Sequence, residues 1–381
     1  MVSEIGQSRR NVRILLRIRW KREHKSSRRG GISMLKKYTK LIVVWTVLIV
    51  LSLAGCGGQG GNTSENDQAQ KKVIRLSHAL PENHYISAQM RAWAELVMEK
   101  SKGRVEVQVY PTGQLYKDAD VLEAVQTGAI EAGHAYDFNL AKSVPEARVF
   151  AAPFLFEGKV TEITQKVLTS SIRSRLETEM EKQGMKGILF LPWSMEEGGV
   201  ITSKQVKTPA DAKGLTLRAT GPDTAAIYQQ WGSNISYLNG SELYTGLQRG
   251  VIQGSEGTVT TSVERKLYEV APNFTILPYS ARVSMIIMNK KFYDKLQPEL
   301  QKAISEATKE VEDKTVAAAK TNLEAVLKAG AEKGVKIYTP TPEELKQFIG
   351  DRDKLWQSLY KDYPQILADI KEIQAIKSQL K

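Results

Sequence analysis

An arginine near the end of a short predicted strand is the residue whose type and position most clearly suggest chemistry. In residues 208–222, Pro209 opens one helical turn and Gly214 ends it, and the alternation that follows predicts a strand ending just after Arg218. Ligands in α/β proteins bind outside the carboxyl ends of strands. The planar guanidinium group of arginine matches a carboxylate in two parallel hydrogen bonds. Arg218 is therefore a candidate carboxylate-binding residue, and the alternative is a solvated surface arginine.

The formal charge of the chain is unevenly distributed. The 381 residues carry a net charge of +12 at pH 7, which would suit a protein that binds nucleic acid. However, 13 of the 54 basic residues and only two of the 42 acidic residues lie in residues 1–55, so the remainder has 41 basic and 40 acidic residues. A nearly neutral body gives no indication of a polyanion-binding surface, and we predict no nucleic-acid partner.

A mostly apolar segment, residues 41–51, follows Lys36, Lys37 and Lys40. It is shorter than the roughly 20 residues that a membrane-spanning helix needs. A basic flank, a short apolar run and small residues behind it are typical of an export signal. We expect a signal peptide over residues 34–55, while residues 1–33 are either a mis-assigned start or an extended amino-terminal region of the signal.

The one cysteine of the chain is Cys56, which directly follows Leu53, Ala54 and Gly55. A single cysteine cannot form a disulfide within the chain, so this position needs another explanation. The four residues resemble the bacterial lipoprotein signal, in which cleavage precedes the cysteine and its thiol is acylated. The resemblance implies a lipid anchor at Cys56, outside the cytoplasmic membrane. The Gly-, Asn-, Ser- and Gln-rich stretch of residues 56–71 is expected to be a flexible tether.

From about residue 72 the chain alternates between strand and helix patterns. Alternating valines over residues 105–109 predict a strand, and a helix predicted over residues 118–127 ends at Gly128. A longer helix is predicted over residues 161–183. This order of elements indicates a mostly parallel sheet with helices on its faces.

The middle of the chain repeats this order. Residues 196–282 contain the Arg218 strand and another strand predicted over residues 250–255. Residues 126–130 (QTGAI) and 248–252 (QRGVI) match as a helix end, a glycine and a strand entry. We therefore predict an α/β fold with two similar lobes.

The last part of the chain is helical. Residues 298–333 show one amphipathic pattern, and a helix of about 35 residues would span roughly 50 Å, enough to brace both lobes. The predicted boundaries are 72–196 plus 283–325 for lobe I, and 197–282 plus 326–381 for lobe II with the final helices.

Three stretches of this body resemble one protein family. They are residues 120–130 (DVLEAVQTGAI), 208–218 (TPADAKGLTLR) and 241–256 (SELYTGLQRGVIQGSE). In their order and spacing they are similar to the substrate-binding subunits of TRAP transporters, the tripartite ATP-independent periplasmic systems, of the DctP type. The resemblance implies a two-lobed, periplasmic-binding-protein-like fold with crossing strands and a long bracing helix. It also implies closure on a small organic acid and delivery to a permease of a small and a large integral membrane subunit.

The resemblance assigns roles to individual residues. Arg218 matches the arginine that binds the ligand carboxylate, and Glu256 falls where the second lobe lines the cleft. The other residues that it places towards the ligand lie at a strand end and in the first loop of lobe I: Tyr136, Asp137, His78 and Asn83. Each could instead be structural, with Glu256 as a turn carboxylate and Tyr136 as a packed aromatic residue.

Two positions depart from the sialic-acid-binding members of the family. Those members carry a second arginine where this chain has Gly198 and Gly199, and an asparagine where it has Gly257. A sugar acid held at two polar ends is therefore not expected. We predict that Arg218 binds the anion by itself.

Two acidic residues, Glu196 and Glu197, stand beside the predicted crossing. Bare carboxylates near an anion would oppose its binding. Glu197 and Glu256 are therefore predicted either to hold a cation that bridges to the ligand or to meet a positive or hydroxyl group on it. No other cofactor is expected.

Other classes of protein are weaker interpretations. An exported enzyme would need a catalytic set, but the four histidines form no HExxH motif and the chain has no GxSxG motif. We expect no enzymatic activity. A binding protein of another uptake system, or of a sensory receptor, would follow the same physics and remains an alternative.

Overall fold

The computed structural model describes residues 71–193, 197–318 and 323–380. The predicted signal peptide, Cys56 and nearly all of the tether lie outside the described residues, as does Glu196. Within those described ranges, no helix combines the length and apolar character needed to cross a membrane.

The first lobe is built on a five-stranded sheet. Its strands are β1 (Lys72–Ser77), β2 (Val105–Tyr110), β3 (Ala132–Tyr136), β4 (Met185–Pro192) and β10 (Val283–Asn289). They lie in the order β2-β1-β3-β10-β4. β1 is parallel to β2 and β3, whereas β10 is antiparallel to both of its neighbours. β10 is buried along its whole length and is correspondingly apolar.

The second lobe is built on a six-stranded sheet. Its strands are β5 (Gly198–Thr202), β6 (Thr216–Arg218), β7 (Asn234–Ser236), β8 (Gly254–Thr258), β9 (Asn273–Ile276) and β11 (Lys336–Tyr338). They lie in the order β11-β9-β5-β8-β6-β7. β6 is parallel to β7 and β8, and β5 is antiparallel to β8 and β9. Apart from β11, this order repeats that of the first sheet, so the predicted two-lobed α/β fold is confirmed.

Helices cover both sheets. They are α1 (Tyr85–Lys100), α2 (Val121–Thr127), α3 (Asp137–Leu140), α4 (Val160–Val167), α5 (Ser171–Lys182), α6 (Pro222–Gln230), α7 (Leu243–Gln248), α8 (Val259–Glu264), α9 (Lys290–Asp294), α10 (Pro298–Ala318), α11 (Leu323–Glu332), α12 (Pro342–Ile349), α13 (Arg352–Tyr360) and α14 (Pro364–Gln379). Short 3-10 turns occur at Pro145–Ala151, Pro209–Ala212, Gly240–Glu242 and Leu267–Glu269.

The segment predicted as a bracing helix contains α10 and α11. α10 packs on α1 and β4 of the first lobe, while α11 packs on α8 and β11 of the second. A Cβ on Gly330 of α11 would come within 2.3 Å of Val259 Cγ1, so α11 lies close against α8. The segment therefore contacts both lobes, and residues 319–322 between its two helices lie outside the described residues.

The helix predicted over residues 161–183 is two helices in the structure. Ser170 precedes α5, and its hydroxyl accepts a hydrogen bond from the Ile172 N–H at 3.2 Å. A serine in this position satisfies an amide that the first turn of a helix leaves unpaired, so it starts a new helix. The single-helix prediction was wrong because the apolar pattern runs through this break.

The last two helices pack on the first lobe, although the predicted boundaries place them with the second lobe. Trp356, Tyr360 and Ile366 lie in the hydrophobic core that also holds Ile163 of α4 and Leu176 of α5. An amphipathic pattern shows that a helix needs an apolar partner, but it does not identify which one.

Two segments cross between the sheets side by side. One leaves β4 at Trp193 and the other enters β10 after Arg282; the Trp193 N–H donates to the Arg282 carbonyl oxygen at 2.8 Å. At the opposite end, the Leu277 N–H donates to the Gly198 carbonyl oxygen at 2.8 Å. These paired crossings form the base of a cleft between the lobes.

Candidate functional site

The cleft between the two sheets contains a cavity to which both lobes contribute, and small-molecule sites commonly lie in such clefts. The first lobe contributes Asp118, Tyr136 and Phe138 to its lining. The second lobe contributes Arg218, Glu256 and Arg265, and the crossings contribute Trp193 and Arg282. The cavity therefore has charged groups from both lobes and an aromatic component.

Arg218 lies at the carboxyl end of β6, where the sequence predicted it, and it lines this cavity. Its Nε donates to the Leu238 carbonyl oxygen at 2.7 Å, and neither terminal nitrogen is hydrogen-bonded to any described residue. The side chain is 7% exposed. Burial lowers the pKa of Arg218, and Asp118 raises it, but a guanidinium group stays charged in proteins. Arg218 is thus a buried cation with two donor groups available.

Arg282, by contrast, is fully engaged by protein groups. Its Nη1 donates to Asp137 Oδ2 at 2.8 Å and its Nη2 to Glu256 Oε2 at 2.6 Å. Nη2 also lies 2.9 Å from Thr220 Oγ1 and 3.1 Å from Thr224 Oγ1. Burial opposes the charged form of Arg282, but Glu256 and Asp137 together raise its pKa above the usual value. The Arg282 network joins the two lobes at the base of the cleft.

Glu256 and Asp137 are therefore partners of Arg282. Glu256 lines the cavity, as the family resemblance implied, and it also accepts a hydrogen bond from Ser280 Oγ at 2.6 Å. Asp137 is fully buried, is not part of the cavity lining, and accepts from the Val283 N–H at 3.1 Å. Burial raises the pKa of Asp137 to about 6, while Arg282 opposes this shift.

Glu197 is engaged at a different place. The Thr260 N–H and hydroxyl donate to its two carboxylate oxygens at 2.8 and 2.6 Å, at the start of α8. The carboxylate of Glu197 is thus hydrogen-bonded to α8, whereas that of Glu256 is held by Arg282 and Ser280. Within the ranges that the structure describes, no cluster of three or more His, Cys, Asp or Glu side chains is arranged to hold a metal ion.

Tyr136 forms an aromatic wall with two neighbours. Its ring stacks on Phe138 with centroids 4.9 Å apart and on Trp193 with centroids 5.2 Å apart. The indole Nε1 of Trp193 is buried and has no hydrogen-bond partner in the described part of the chain. The wall therefore offers an apolar surface to a ligand.

His78 and Asn83, which the resemblance placed towards the ligand, are not in the cavity lining. His78 is buried at the end of β1, and burial lowers its pKa to about 4. Asn83 is exposed in the following loop. The first loop instead contributes Ala79 and Leu80 to the cavity.

The structure gives the cavity three arginines where the sequence predicted one. Arg265 donates through Nη2 to the Gly240 carbonyl oxygen, and its remaining guanidinium nitrogens bond to no other described residue. Burial lowers the pKa of Arg265. Gly199 could not have held an arginine, because a Cβ there would lie 1.9 Å from the Thr275 carbonyl oxygen. In the sequence, Arg265 resembles any charged residue at a helix end, so nothing in the local pattern predicts that it lines the cavity.

Asp118 is an acidic residue of the cavity lining that the sequence did not single out. It is 8% exposed, and its Oδ1 is buried without a hydrogen-bond partner among the described residues. A Cβ on Gly240 would lie 3.3 Å from Asp118 Oδ2 and 3.7 Å from Arg218 Nη2. Asp118 of the first lobe and Arg218 of the second therefore border the same glycine.

Two similar α/β lobes, paired crossings and a cleft with uncompensated arginines define a two-lobed solute-binding protein. The chain belongs to the bacterial extracellular solute-binding protein family 7 (DctP), whose model matches residues 76–362. It is a substrate-binding subunit of the TRAP type.

Individual relatives agree with this assignment. The chain is 28% identical over 307 residues to the C4-dicarboxylate-binding periplasmic protein DctP of Vibrio cholerae, covering 79% of this chain and 90% of the relative. It is 26% identical over 289 residues to the C4-dicarboxylate-binding protein DctB of Bacillus subtilis, covering 75% and 81%.

Solved structures share the fold along nearly their whole length. A TRAP periplasmic solute-binding protein of Sulfurospirillum deleyianum with bound succinate superposes with a TM-score of 0.72 at 25% identity, covering 81% of this chain and 99% of that one. A Bordetella pertussis extracytoplasmic solute receptor binding pyroglutamic acid gives a TM-score of 0.74 at 22% identity, covering 81% and 100%.

Proposed function

We propose that the protein captures a small organic acid in the cell envelope, closes its lobes around it and delivers it to a TRAP permease of a small and a large membrane subunit. The observation that carries this proposal is the state of Arg218. It is buried in the cleft, and its terminal nitrogens have no described protein partner. A carboxylate supplies both the charge and the paired acceptors that this group lacks.

The ligands named for similar proteins support a carboxylate. The Vibrio cholerae relative is named as a C4-dicarboxylate-binding protein, and the Sulfurospirillum deleyianum structure contains succinate. The Bordetella pertussis receptor binds pyroglutamic acid. These molecules differ in size and shape but share a carboxylate, and the proposal includes no chemical step on the ligand.

Contacts across the mouth of the cleft support capture by closure. Lys117 Nζ of the first lobe lies 3.7 Å from Glu242 Oε1 of the second. The Tyr85 N–H of the first lobe donates to Glu264 Oε1 of the second at 3.2 Å. A ligand that touches both lobes binds the closed form better than the open form and so shifts the population towards closure.

The main test is the removal of the Arg218 guanidinium group. Calorimetric titration of Arg218→Ala with succinate, malate, lactate and pyroglutamate should show binding weakened by about 30-fold to several thousand-fold, the cost of leaving a buried charged partner unpaired. Arg218→Lys should not restore binding, because an ammonium group cannot reproduce the planar fork.

The matched control is Arg249→Ala, which removes an exposed arginine of the same lobe and should leave affinity unchanged. Circular dichroism should show that all variants remain folded. Wild-type affinity in a folded Arg218→Ala variant would show that the anion binds elsewhere.

We also propose that Cys56 carries a lipid that holds the body at the membrane. The support is the Leu-Ala-Gly-Cys sequence behind a short apolar run. Cys56→Ser should move the protein from the membrane fraction to the soluble envelope fraction without changing ligand affinity. Retention of Cys56→Ser in the membrane fraction would argue for another mode of attachment.

A further inference from the structure

A carboxyl group lies at the contact between the lobes without a cation to neutralise it. Glu264 ends α8 of the second lobe, and its side chain is 19% exposed. Its Oε1 accepts from the Tyr85 N–H of the first lobe at 3.2 Å, and its Oε2 lies 3.5 Å from His84 Nε2. Both Oε2 and Nε2 are buried without a hydrogen-bond partner among the described residues. Because both contacts join one lobe to the other, they form only when the cleft closes.

His84 is held in its neutral form by a different role. It stands just ahead of α1, and its Nδ1 accepts from the Ile86 N–H at 3.2 Å. The single proton of the neutral ring therefore lies on Nε2, and an imidazolium would lose this helix cap because both of its nitrogens are donors. Burial of the ring, and after it the charge of Arg265, lower the pKa of His84 to about 3. His84 therefore faces Glu264 as a neutral group.

No cation of the neighbouring elements pairs with Glu264 within the described residues. α8 packs on β8, on the turn Leu267–Glu269 and on α11. Some charged or titratable side chains of these elements, of the residues after α8 and around His84 are bonded to other groups or buried in neutral form: Glu256, Arg265, Glu269, Arg91 and His78. The others are exposed: Glu82, Lys266, Glu324, Lys328 and Glu332.

Closure thus moves the Glu264 carboxyl group from water to a contact that offers it only neutral donors. Desolvation disfavours the charged form of such a group. It raises the pKa of Glu264 to about 7, although the Tyr85 N–H opposes this shift. When the lobes separate, water solvates the carboxyl group again and its ordinary pKa, near 4.5, returns.

We propose, building on the proposed function, that the protein captures a proton together with its acid, and that Glu264 binds this proton where α8 meets His84 as the lobes close. The proton contributes fully to closure below about pH 4.5, and its contribution is lost as the pH rises through about 7. The protein therefore holds its ligand more tightly in a mildly acidic medium than in an alkaline one.

The experiment is a calorimetric titration of the full chain in mild detergent with succinate, malate, lactate and pyroglutamate. Wild-type affinity should be at least about tenfold higher at about pH 5.5 than at about pH 8, and binding at about pH 6 should take up roughly 0.5–1 proton. Comparison of MES and imidazole buffers, which differ in ionisation enthalpy, counts the protons. The difference between wild type and Glu264→Gln cancels any titration of the ligand itself.

Three variants locate the proton. Glu264→Gln imitates the protonated carboxyl group, so its affinity should be independent of pH and its proton uptake should vanish. His84→Asn keeps a side chain that caps helices well and should still bind more weakly as the pH rises. The control is Glu332→Gln, which removes an exposed carboxylate of the second lobe and should retain the wild-type pH dependence.

The outcomes separate this inference from the proposed function. Equal pH dependence and proton uptake in wild type and Glu264→Gln would overturn the proton site and leave the capture of acids intact. Loss of the pH dependence in His84→Asn with its retention in Glu264→Gln would assign the proton to the histidine and would also overturn it. If no acid of the panel binds the wild type at any pH, the proposed function fails and this inference fails with it.

Discussion

At the scale of single residues, the same side-chain type performs two different tasks in this cleft. Arg282 is paired with carboxylates from both lobes, whereas Arg218 keeps two terminal nitrogens free of described partners. The difference lies in the neighbours, since both arginines are almost fully buried. Arg282 therefore helps to hold the two lobes together at the base of the cleft, whereas Arg218 belongs to the ligand site.

Replacing Arg282 with methionine is expected to lower the free energy of unfolding by about 3–5 kcal/mol. The change leaves Asp137 and Glu256 buried without their cation, which is the costly way to break a buried ion pair. Urea denaturation at neutral pH measures the effect. Lys309→Met is the control, because its partner pair is exposed (76% and 64%) and should cost no more than about 1 kcal/mol. Equal losses in both variants would contradict a central role for Arg282.

At the scale of elements, the internal repeat predicted from the sequence marks equivalent positions in the two lobes. Gly128 and Gly250 both adopt a positive φ, +79° and +69°, just after α2 and α7. The next strands are β3 and β8. A glycine is needed at both points because few other residues adopt this conformation at low cost. The repeat predicted here is thus a repeat of local backbone geometry.

The strand that follows the second copy of this repeat was predicted at the wrong position. The strand predicted over residues 250–255 is Gly254–Thr258 in the structure. Its sequence, GSEGT, contains no apolar residue, so no alternation could place it. Pairing with β5 and β6 sets its position instead, and such tertiary pairing commonly overrides local β preference.

Some residues of the candidate site could be predicted from the sequence, and others could not. Arg218 could be predicted because it ends a recognisable strand, and Tyr136 and Glu256 because a family resemblance pointed to their stretches. Asp118 and Arg265 could not, because a charged residue beside a helix has the same local pattern whether it faces solvent or a cleft. Only the packing of the two lobes decides which direction these side chains face.

Glu264, the last residue of α8, should make the stability of the protein depend on pH. Burial raises the pKa of the Glu264 carboxyl to about 7, and its Oε2 lies 3.5 Å from the Nε2 of His84. Burial lowers the pKa of His84 to about 3, so this histidine is neutral at physiological pH. The folded protein therefore favours protonated Glu264 more than the unfolded chain does.

Because the folded pKa of Glu264 is raised, its contribution to stability is complete below about pH 4.5 and is lost as the pH rises through about 7. Wild-type protein should lose thermal stability between about pH 4.5 and pH 7 relative to Glu264→Gln, which imitates the protonated carboxyl. Melting curves of the two proteins at several pH values measure this difference. Parallel curves would show that Glu264 does not titrate in this range.

At the scale of the whole molecule, the lobes are joined at the base of the cleft and touch again at its mouth. The crossings and the Arg282 network form the base, and the Lys117–Glu242 pair lies at the mouth. The Lys117–Glu242 pair is exposed and weak compared with the contacts at the base. This arrangement allows the mouth to open while the base stays connected.

Reversing the charge at the mouth should therefore affect closure more than folding. In Lys117→Glu, repulsion from Glu242 is expected to speed ligand release by up to about fivefold at low salt, because exposed pairs are worth about 1 kcal/mol or less. The effect should fade at 0.5 M salt as screening increases. Stopped-flow release measurements can follow it. A salt-independent change would point to a packing defect, and the double variant Lys117→Glu/Glu242→Lys should restore the wild-type rate.

The packing of α13 and α14 on the first lobe has a practical consequence for optical sensing. A dye attached at exposed Lys371 of α14 moves with the first lobe, whereas a dye at exposed Lys333, in the turn between α11 and β11, moves with the second. With Cys56 replaced, cysteines introduced at these two positions would be the labelling sites. Energy transfer between the dyes would then report each capture event as a change in colour, and would turn this receptor into a sensor for its own ligand.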